Sequence, residues 1–332
     1  MNRIAGKHKL NKKWVITIFW IIALAMAGAI VAHHNPAADP GEEMAKKVIS
    51  CVVIGMSGLI FMKWYEKFTV LPVELFQNRH LIWKLAKNDF KKRYAGSYLG
   101  AVWAMIQPVV TVAMYYVVFG LIFPNQRESG EVPFVLFLTA GLVPWFFFNE
   151  ALNSGTNALL EYNYLVKKVV FKISILPIIK IIAATFIHAF FVCVLLAIAA
   201  GYGYYPTIYT IQVVYYSFCL FIFVLALCYT TCAVVVFFRD LSQIINIVLQ
   251  IGMWATPILW DINSIKTGWV VTLLKINPLV YVVNGYRSAI YEKEWFFQDF
   301  FSTMYFWIVT VVLFGMGALI FKRLKVHFAD VL

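Results

Sequence analysis

Long apolar runs alternate with short polar segments along most of the chain. A helix needs about 20 apolar residues to cross a hydrocarbon core of about 30 Å. The runs predict membrane spans near 14–32, 48–62, 99–122, 133–151, 173–200, 211–237, 243–259 and 302–321. The pattern therefore predicts an all-α polytopic membrane protein with eight spans.

The segment at about 260–301 does not fit a simple loop. It is too apolar to be exposed, yet Pro278 and Gly285 interrupt it. Broken helices at membrane depth must be buried in protein or line a wet cavity. We therefore expect short re-entrant helices here, at the outer half of a translocation path.

Composition and charge agree with this picture. The chain is 62% hydrophobic and 13% charged, whereas a soluble domain is about 25% charged. Of the 28 Lys and Arg residues, 21 fall in the inner segments and 7 in the outer ones. This asymmetry explains the net charge of +12 better than a nucleic-acid partner does, and it predicts that both termini are cytoplasmic. A signal peptide is the alternative for the first span, but its apolar run of about 19 residues exceeds the usual 7–15.

The residue types that carry chemistry are sparse. The five cysteines lie in apolar runs and form no metal or disulfide pattern, so we expect them to be packing residues. There is no GxxxxGK[ST] phosphate loop and no GxSxG or HExxH motif, so any ATP would bind to another chain. Within the spans the ionisable candidates are Glu150, Lys180 and His188, too few for the relay of an ion-driven carrier.

A basic amphipathic helix is predicted at 81–94, directly before a span. Its lysines, among them Lys84, Lys87 and Lys91, lie opposite a broad apolar arc. Asp89 and Arg93 fall within that arc, at the i, i+4 spacing of a helix-stabilising ion pair. Such a helix lies at the headgroup layer, where it is either a plain lipid anchor or a surface for a protein below it.

Two further inner segments connect spans. Residues 159–172 form a basic and aromatic connector, which is either a loop or an element that docks into a cytoplasmic partner. Phe238–Ser242 is a tight turn, and a solvated turn with a helix N-cap at Asp240 or Ser242 explains it at least as well as a specific function.

The ordered set of motifs resembles the permease subunit of the ABC-2 group of polysaccharide exporters over about residues 75–330. The set comprises Arg93–Gly100 with Trp103 and Pro108, Leu165–Phe171 with Ile175–Pro177, Phe238–Asp240, Thr256–Trp260, Asn277–Leu279 and Gly285–Arg287. It is closest to teichoic acid translocation permeases and also similar to O-antigen and capsule exporters. Lys172 stands where that family often has proline, and the resemblance does not cover residues 1–70.

The resemblance implies a domain organisation. Residues 1–70 would be an added transmembrane hairpin and 71–98 a cytoplasmic interface helix. Residues 99–332 would form the ABC-2 transmembrane domain, with six core spans, a coupling helix at about 159–172 and re-entrant external helices at about 260–301.

The resemblance also implies partners and sites. Two permeases would pair in a bacterial cytoplasmic membrane above two ATPase subunits that hold ATP and Mg, with no cofactor on this chain. The substrate would be an undecaprenyl-pyrophosphate-linked glycan, most simply wall teichoic acid, otherwise O-antigen or a capsule-like polymer; a drug or lipid in the same machine is the alternative. ATPase docking would involve Lys84, Lys87, Asp89, Lys91, Arg93, Tyr164, Lys167, Lys168 and Phe171. The substrate path would involve Arg93, Trp145, Phe146, Phe147, Trp254, Trp260, Tyr281, Tyr286 and Arg287.

Overall fold

In a computed structural model the described part of the chain is helical and contains no strand. The structure describes residues 12–32, 40–63, 65, 73–93, 96, 98–122, 132–167, 172–265 and 267–332. The chain divides into two compact units, Met1–Gln77 and Asn78–Leu332.

The α-helices are α1 (Lys12–Ala32), α2 (Pro40–Lys63), α3 (Arg79–Arg93), α4 (Trp103–Tyr115), α5 (Phe134–Thr156), α6 (Ala158–Glu161), α7 (Asn163–Val166), α8 (Leu176–Gly201), α9 (Gln212–Val235), α10 (Leu241–Ala255), α11 (Gly268–Lys275), α12 (Pro278–Arg287), α13 (Phe300–Leu324) and α14 (Phe328–Val331). Short 3₁₀ turns lie at Gly100–Val102, Ile173–Ile175, Ile208–Ile211, Ile262–Ser264 and Lys325–His327, and π-helical turns extend α4 over Tyr116–Ile122 and α12 over Ser288–Glu292.

In the first unit the helices α1 and α2 pack against each other. Gly58 on α2 faces the ring of Trp20, and a Cβ atom there would lie 2.7 Å from that ring. Glycine therefore lets the two helices approach, as small residues do between membrane helices. The indole Nε1 of Trp20 also lies 3.4 Å from the sulfur of Met62.

The core of the second unit forms around α5. This helix packs against α8, α9, α10 and α12, and most of its residues from Leu136 to Thr156 are buried. Near its end, Gly155 faces Cys228 on α9, and a Cβ atom at position 155 would overlap the Cys228 sulfur. The buried Cys228 thus fills space between helices, which is the packing role expected for it from the sequence.

Among the described residues, six helices are long and apolar enough to cross a membrane. They are Lys12–Ala32, Trp103–Ile122, Phe134–Thr156, Ile173–Gly201, Ile208–Val235 and Phe300–His327. The other two predicted spans correspond to α2, which begins with a charged stretch, and to α10, a shorter apolar helix of 15 residues. The multi-pass helical fold agrees with the sequence, whereas the count of eight spans stays a prediction.

The segment predicted to be external, at about 260–301, includes two short helices, α11 with 8 residues and α12 with 10. Pro278 occupies the first turn of α12, where its missing N–H costs no hydrogen bond. The side chain of Asn277 caps this helix by accepting from the Leu279 N–H at 3.1 Å, and it donates to the hydroxyl of Thr256 at 2.9 Å. Short, interrupted helices are therefore present, while their re-entry into the bilayer stays a prediction.

Candidate transport cavity and docking surface

A cavity of about 600 Å³ lies between α4, α5, α8 and α10. Its aromatic lining comprises Tyr115, Trp145, Phe146, Phe147, Phe191 and Trp254, and its polar lining comprises Gln107, Thr111, Asn149, Glu150, His188 and Gln250. A concave site with apolar walls and a few polar groups is the usual form of a site for an organic ligand. Side-chain amides can exchange hydrogen bonds with hydroxyl groups in both directions, so the lining suits a ligand rich in hydroxyls.

The sequence of α5 explains how it contributes to this wall. Residues 143, 145, 146, 147, 149 and 150 all line the cavity. Pro144 lies among them, inside the helix, and a proline there removes one backbone hydrogen bond and disturbs the regular turn. The polar pair Asn149 and Glu150 follows at the end of an apolar run, which places hydrogen-bonding groups beside the aromatic ones.

Four of the predicted path residues line the cavity together: Trp145, Phe146, Phe147 and Trp254. Trp260 is adjacent to Trp254, since its indole N–H donates to the backbone carbonyl of that residue at 3.1 Å. The polar lining residues Gln107, Asn149 and Gln250 were missed by the sequence reasoning. The sequence signal that could have identified them is a polar amide inside a predicted span. Polar groups are uncommon there and often mark the path of a substrate.

Three predicted path residues on α12 do not line the cavity. Arg287 is 4% exposed, its guanidinium lies 3.6 Å from the centre of the Phe137 ring, and it donates to the backbone carbonyl of Ile258 at 3.1 Å. The hydroxyl of Tyr281 lies 3.2 Å from that of Tyr215. The structure thus gives these side chains packing partners, because α12 is buried against α5 and α9 rather than facing the cavity.

His188 connects the buried part of α12 to the cavity wall. It lines the cavity, and its Nε2 lies 2.9 Å from the hydroxyl of Tyr286 and 3.1 Å from that of Ser217. Its ring also lies 4.7 Å from that of Phe147. His188 therefore hydrogen-bonds residues of two neighbouring helices, α9 and α12.

The predicted interface helix is α3. Ile82 and Ala86 are buried, and the rings of Trp83 and Phe90 pack edge-on against Phe186 of α8, at 5.2 and 5.8 Å between centroids. Lys84, Lys87 and Lys91 are all exposed. The helix is thus amphipathic as expected, with one side on α8 and its lysines turned away from the core.

Asp89 and Arg93 do not pair with each other, which corrects the sequence-based prediction. Asp89 accepts from the ammonium of Lys180 on α8 at 2.7 Å and from the hydroxyl of Tyr162 at 2.5 Å. The guanidinium of Arg93 forms an ion pair with Glu150 on α5. Asp89 pairs across the interface because Lys180 is buried, and a buried charge without a partner is costly.

The Arg93–Glu150 pair links the end of α3 to the cavity, since Glu150 is a lining residue. Both side chains keep about a third or more of their surface exposed. An exposed ion pair contributes only about 0–1 kcal/mol. This contact can therefore be exchanged for another anion or cation at little cost.

The described part of the coupling segment, up to Lys167, contains two single turns, α6 and α7. Tyr164 is 51% exposed and Lys167 is also exposed, as a docking role requires. Lys168 and Phe171 lie outside the described residues. Burial and the hydrogen bond to Asp89 raise the pKa of Tyr162 above that of an ordinary tyrosine, so its hydroxyl stays protonated and donates.

The turn at Arg239–Asp240, which was predicted to be on the inner side, lies near the coupling segment. Both residues are exposed, and Asp240 stands at the N-cap position of α10 without a side-chain capping bond. The hydroxyl of Ser242 instead donates to the side-chain oxygen of Asn157 at 2.8 Å. The three segments predicted to be on the inner side are thus in contact. Asp89 of α3 accepts from Tyr162 of the coupling segment, and Ser242 at the end of the turn donates to Asn157, which directly precedes α6.

Most of the second unit matches a known protein family. A family model described as ABC-2 type transporter covers residues 80–291. This chain belongs to the ABC-2 transporter family. The match includes α3, the whole cavity, the coupling segment and α12, so the features described above all lie within the ABC-2 domain or at its edge.

Curated relatives of this ABC-2 chain are similar over most of their own length. The O-antigen export system permease protein RfbA of Myxococcus xanthus is 29% identical over 258 residues, which cover 77% of this chain and 97% of the relative. A protein of the same name from Klebsiella pneumoniae is 27% identical over 253 residues, covering 75% and 93%. The polysialic acid transport protein KpsM of Escherichia coli is 24% identical over 244 residues, covering 70% and 89%.

Proposed function

We propose that this chain is the membrane-spanning permease subunit of an ATP-driven exporter of a polysaccharide. The observation that carries the proposal is the cavity, in which aromatic rings and side-chain amides line one space within an ABC-2 domain. A sugar ring has apolar faces that can lie on Trp254 or Trp145 and an edge of hydroxyls that Gln107, Asn149 and Gln250 can bind. The names of the relatives, O-antigen and polysialic acid transporters, support a glycan as substrate.

The energy source in this proposal is a separate ATPase. The docking surface consists of the exposed lysines of α3 together with the exposed Tyr164 and Lys167 of the coupling segment. Both elements contact α8 or its neighbours, so a movement of the ATPase reaches the helices that line the cavity. The chain itself acts as a transport subunit and carries no nucleotide.

The proposal extends to assembly and location. Two of the cavity-lining helices have apolar faces that the single chain leaves uncovered: α4 has no buried residue, and Ile247 and Ile251 on α10 are exposed. A second copy of the chain against these faces would complete the wall around the path. We place the homodimer, with two ATPase subunits, in the bacterial cytoplasmic membrane with both termini in the cytoplasm.

The finer identity of the substrate is a proposal that rests on the resemblance of the sequence to polysaccharide exporters. That resemblance implies a glycan linked to a lipid carrier, and we propose undecaprenyl pyrophosphate in that role. The exchangeable Arg93–Glu150 pair at the cavity would offer the guanidinium to its phosphates. The relatives support O-antigen or capsule-like polymers, and wall teichoic acid stays a prediction from the sequence resemblance.

The experiment measures surface polysaccharide in cells whose own copy of the gene is replaced by variants. Trp254→Ala and Gln250→Ala, one helical turn apart on α10, each remove one cavity contact. We expect export to fall at least about fivefold, which corresponds to a lost contact of about 1 kcal/mol. Trp269→Ala is the matched control, because Trp269 is 71% exposed on α11 and does not line the cavity.

Two results would count against the proposal. Unchanged surface polysaccharide after deletion of the gene, with altered tolerance to drugs, would favour a drug or lipid substrate. Purification of the chain from its native membrane without an ATPase subunit would remove the proposed energy source. The mass of the purified complex reports the number of permease copies.

A further inference from the structure

Lys180 joins three elements through a single buried ammonium group. It lies near the start of α8 and is 5% exposed. Its Nζ donates to Asp89 of α3 at 2.7 Å and to Glu161 of α6 at 2.5 Å. We propose that Lys180 is a positioning residue that holds the interface helix and the coupling segment as one unit, so that a push on either one moves α8. The inference rests on the proposed function, since it concerns how the two docking elements act together.

The contacts around Lys180 form a closed network. The hydroxyl of Tyr162 donates to the same carboxylate oxygen of Asp89 that Lys180 binds, at 2.5 Å. The ammonium also lies 5.0 Å from the centre of the Tyr162 ring. Lys180, Asp89, Glu161 and Tyr162 therefore hold α3, α6 and α8 through directional contacts.

The exposed fractions of Lys180, Asp89 and Glu161 indicate which of the two ion pairs is harder to break. The side chains of Lys180 and Asp89 are 5% and 11% exposed, and opening a buried pair leaves each charge unpaired at a large cost. Glu161 is 52% exposed, so water can replace Lys180 as its partner. The Asp89–Lys180 contact is thus the fixed link, and the half-buried Tyr162, which donates to Asp89, ties the coupling segment to it.

Apolar packing alone would not give this rigidity. The contacts of Ile82, Ala86 and Phe90 attach α3 to the bundle, but apolar attraction has no preferred direction. A helix held only in that way can slide or roll under a load. Hydrogen bonds to a charged group have a defined geometry, so the network fixes the register of α3 against α8.

The test compares variants in the purified complex with its ATPase, reconstituted in liposomes with lipid-linked glycan. Lys180→Met removes the charge, Lys180→Arg keeps it, and the double variant Lys180→Met with Asp89→Asn removes both buried charges. Lys322→Met is the matched control, since Lys322 is an exposed lysine in the last turn of α13. The readouts are the thermal midpoint and the amount of glycan exported per ATP hydrolysed.

We expect Lys180→Met to lower both readouts and Lys180→Arg to retain most of the export. The double variant should recover the thermal midpoint, because no buried charge is left unpaired, yet export per ATP should remain lower by between about twofold and thirtyfold. A double variant with wild-type export per ATP would overturn the inference and leave the proposed function standing. If no partner ATPase hydrolyses ATP in complex with the wild-type chain, the proposed function fails first.

Discussion

The close approach of α5 and α9 can be tested at one glycine. A Cβ atom at position 155 would overlap the sulfur of Cys228 and would lie 3.3 Å from the Cβ of that cysteine and 3.7 Å from a side-chain carbon of Ile181. Carbon atoms in contact are normally about 3.5–4.0 Å apart. Gly155→Ala must therefore displace a fully buried side chain, and we expect it to lower the free energy of unfolding by about 3 kcal/mol, near the upper end for overpacking.

A second substitution should relieve most of this strain. Cys228→Ala alone removes one buried group of about the size of a methyl group and should cost about 1 kcal/mol. In the double variant the new methyl group at position 155 occupies the space that the sulfur has left, so we expect a loss of only about 1 kcal/mol. The two substitutions should thus be non-additive by about 3 kcal/mol, as expected for residues in direct contact.

The assay is an SDS titration of the purified chain in mixed micelles, followed by circular dichroism. Gly201→Ala is the control, because a Cβ atom at Gly201 meets nothing within 4 Å, and its effect should stay within about 0.5 kcal/mol. Two results would refute the close packing of α5 against α9. One is a Gly155→Ala variant with an unchanged free energy of unfolding, and the other is a double variant whose loss of free energy equals the sum of the single losses.

Two further predictions concern α3. Reversing the charge at Lys84, Lys87 and Lys91 should reduce the amount of ATPase that co-purifies with the chain and leave the unfolding midpoint within the range of surface substitutions, since all three side chains are exposed. Arg93→Glu should reduce export by placing two carboxylates together at the cavity, and adding Glu150→Arg should restore part of it, with each single variant changing stability by no more than about 1 kcal/mol.

Controls separate these two effects. Lys322→Glu reverses a charge at the end of α13, outside the docking surface, and should leave co-purification unchanged. Full co-purification after the triple reversal would show that the lysines of α3 face lipid headgroups instead. A swapped pair that exports no better than Arg93→Glu alone would mean that Arg93 acts through another contact.

Local sequence patterns were sufficient to predict where most of the long helices lie. The apolar runs predicted the long helices α1, α5, α8, α9 and α13, because a membrane span needs a minimum apolar length whatever its neighbours are. The sequence pattern predicted that Pro278 and Gly285 interrupt the apolar segment; Pro278 stands in the first turn of α12, where proline is favoured, whereas Gly285 lies inside that helix. Amphipathic spacing likewise predicted α3 and the exposure of its lysines.

The contact partners of individual side chains could not be predicted from local sequence patterns. Asp89 and Arg93 have the spacing of an intrahelical pair, yet each binds a different helix, because contact distances between α3, α5 and α8 depend on how those helices pack. Arg287 and Tyr286 looked like path residues by type and position, but α12 turns them into the core. In a sequence so rich in aromatics, residue type does not separate a ring that packs from a ring that lines a cavity.

The sequence by itself determined the all-helical membrane architecture, the basic interface helix and the resemblance to the ABC-2 group, since these depend on local composition and on the order of motifs. The tertiary structure alone decided that Gln107, Asn149, Glu150 and Gln250 share one cavity with Trp254 and that Lys180 links Asp89 to Glu161. Gln107 and Gln250, for example, are 143 residues apart in the sequence. Only the packing of α4, α5, α8 and α10 places the cavity residues around one space. Only the packing of α3, α6 and α8 brings Lys180 within hydrogen-bonding distance of Asp89 and Glu161.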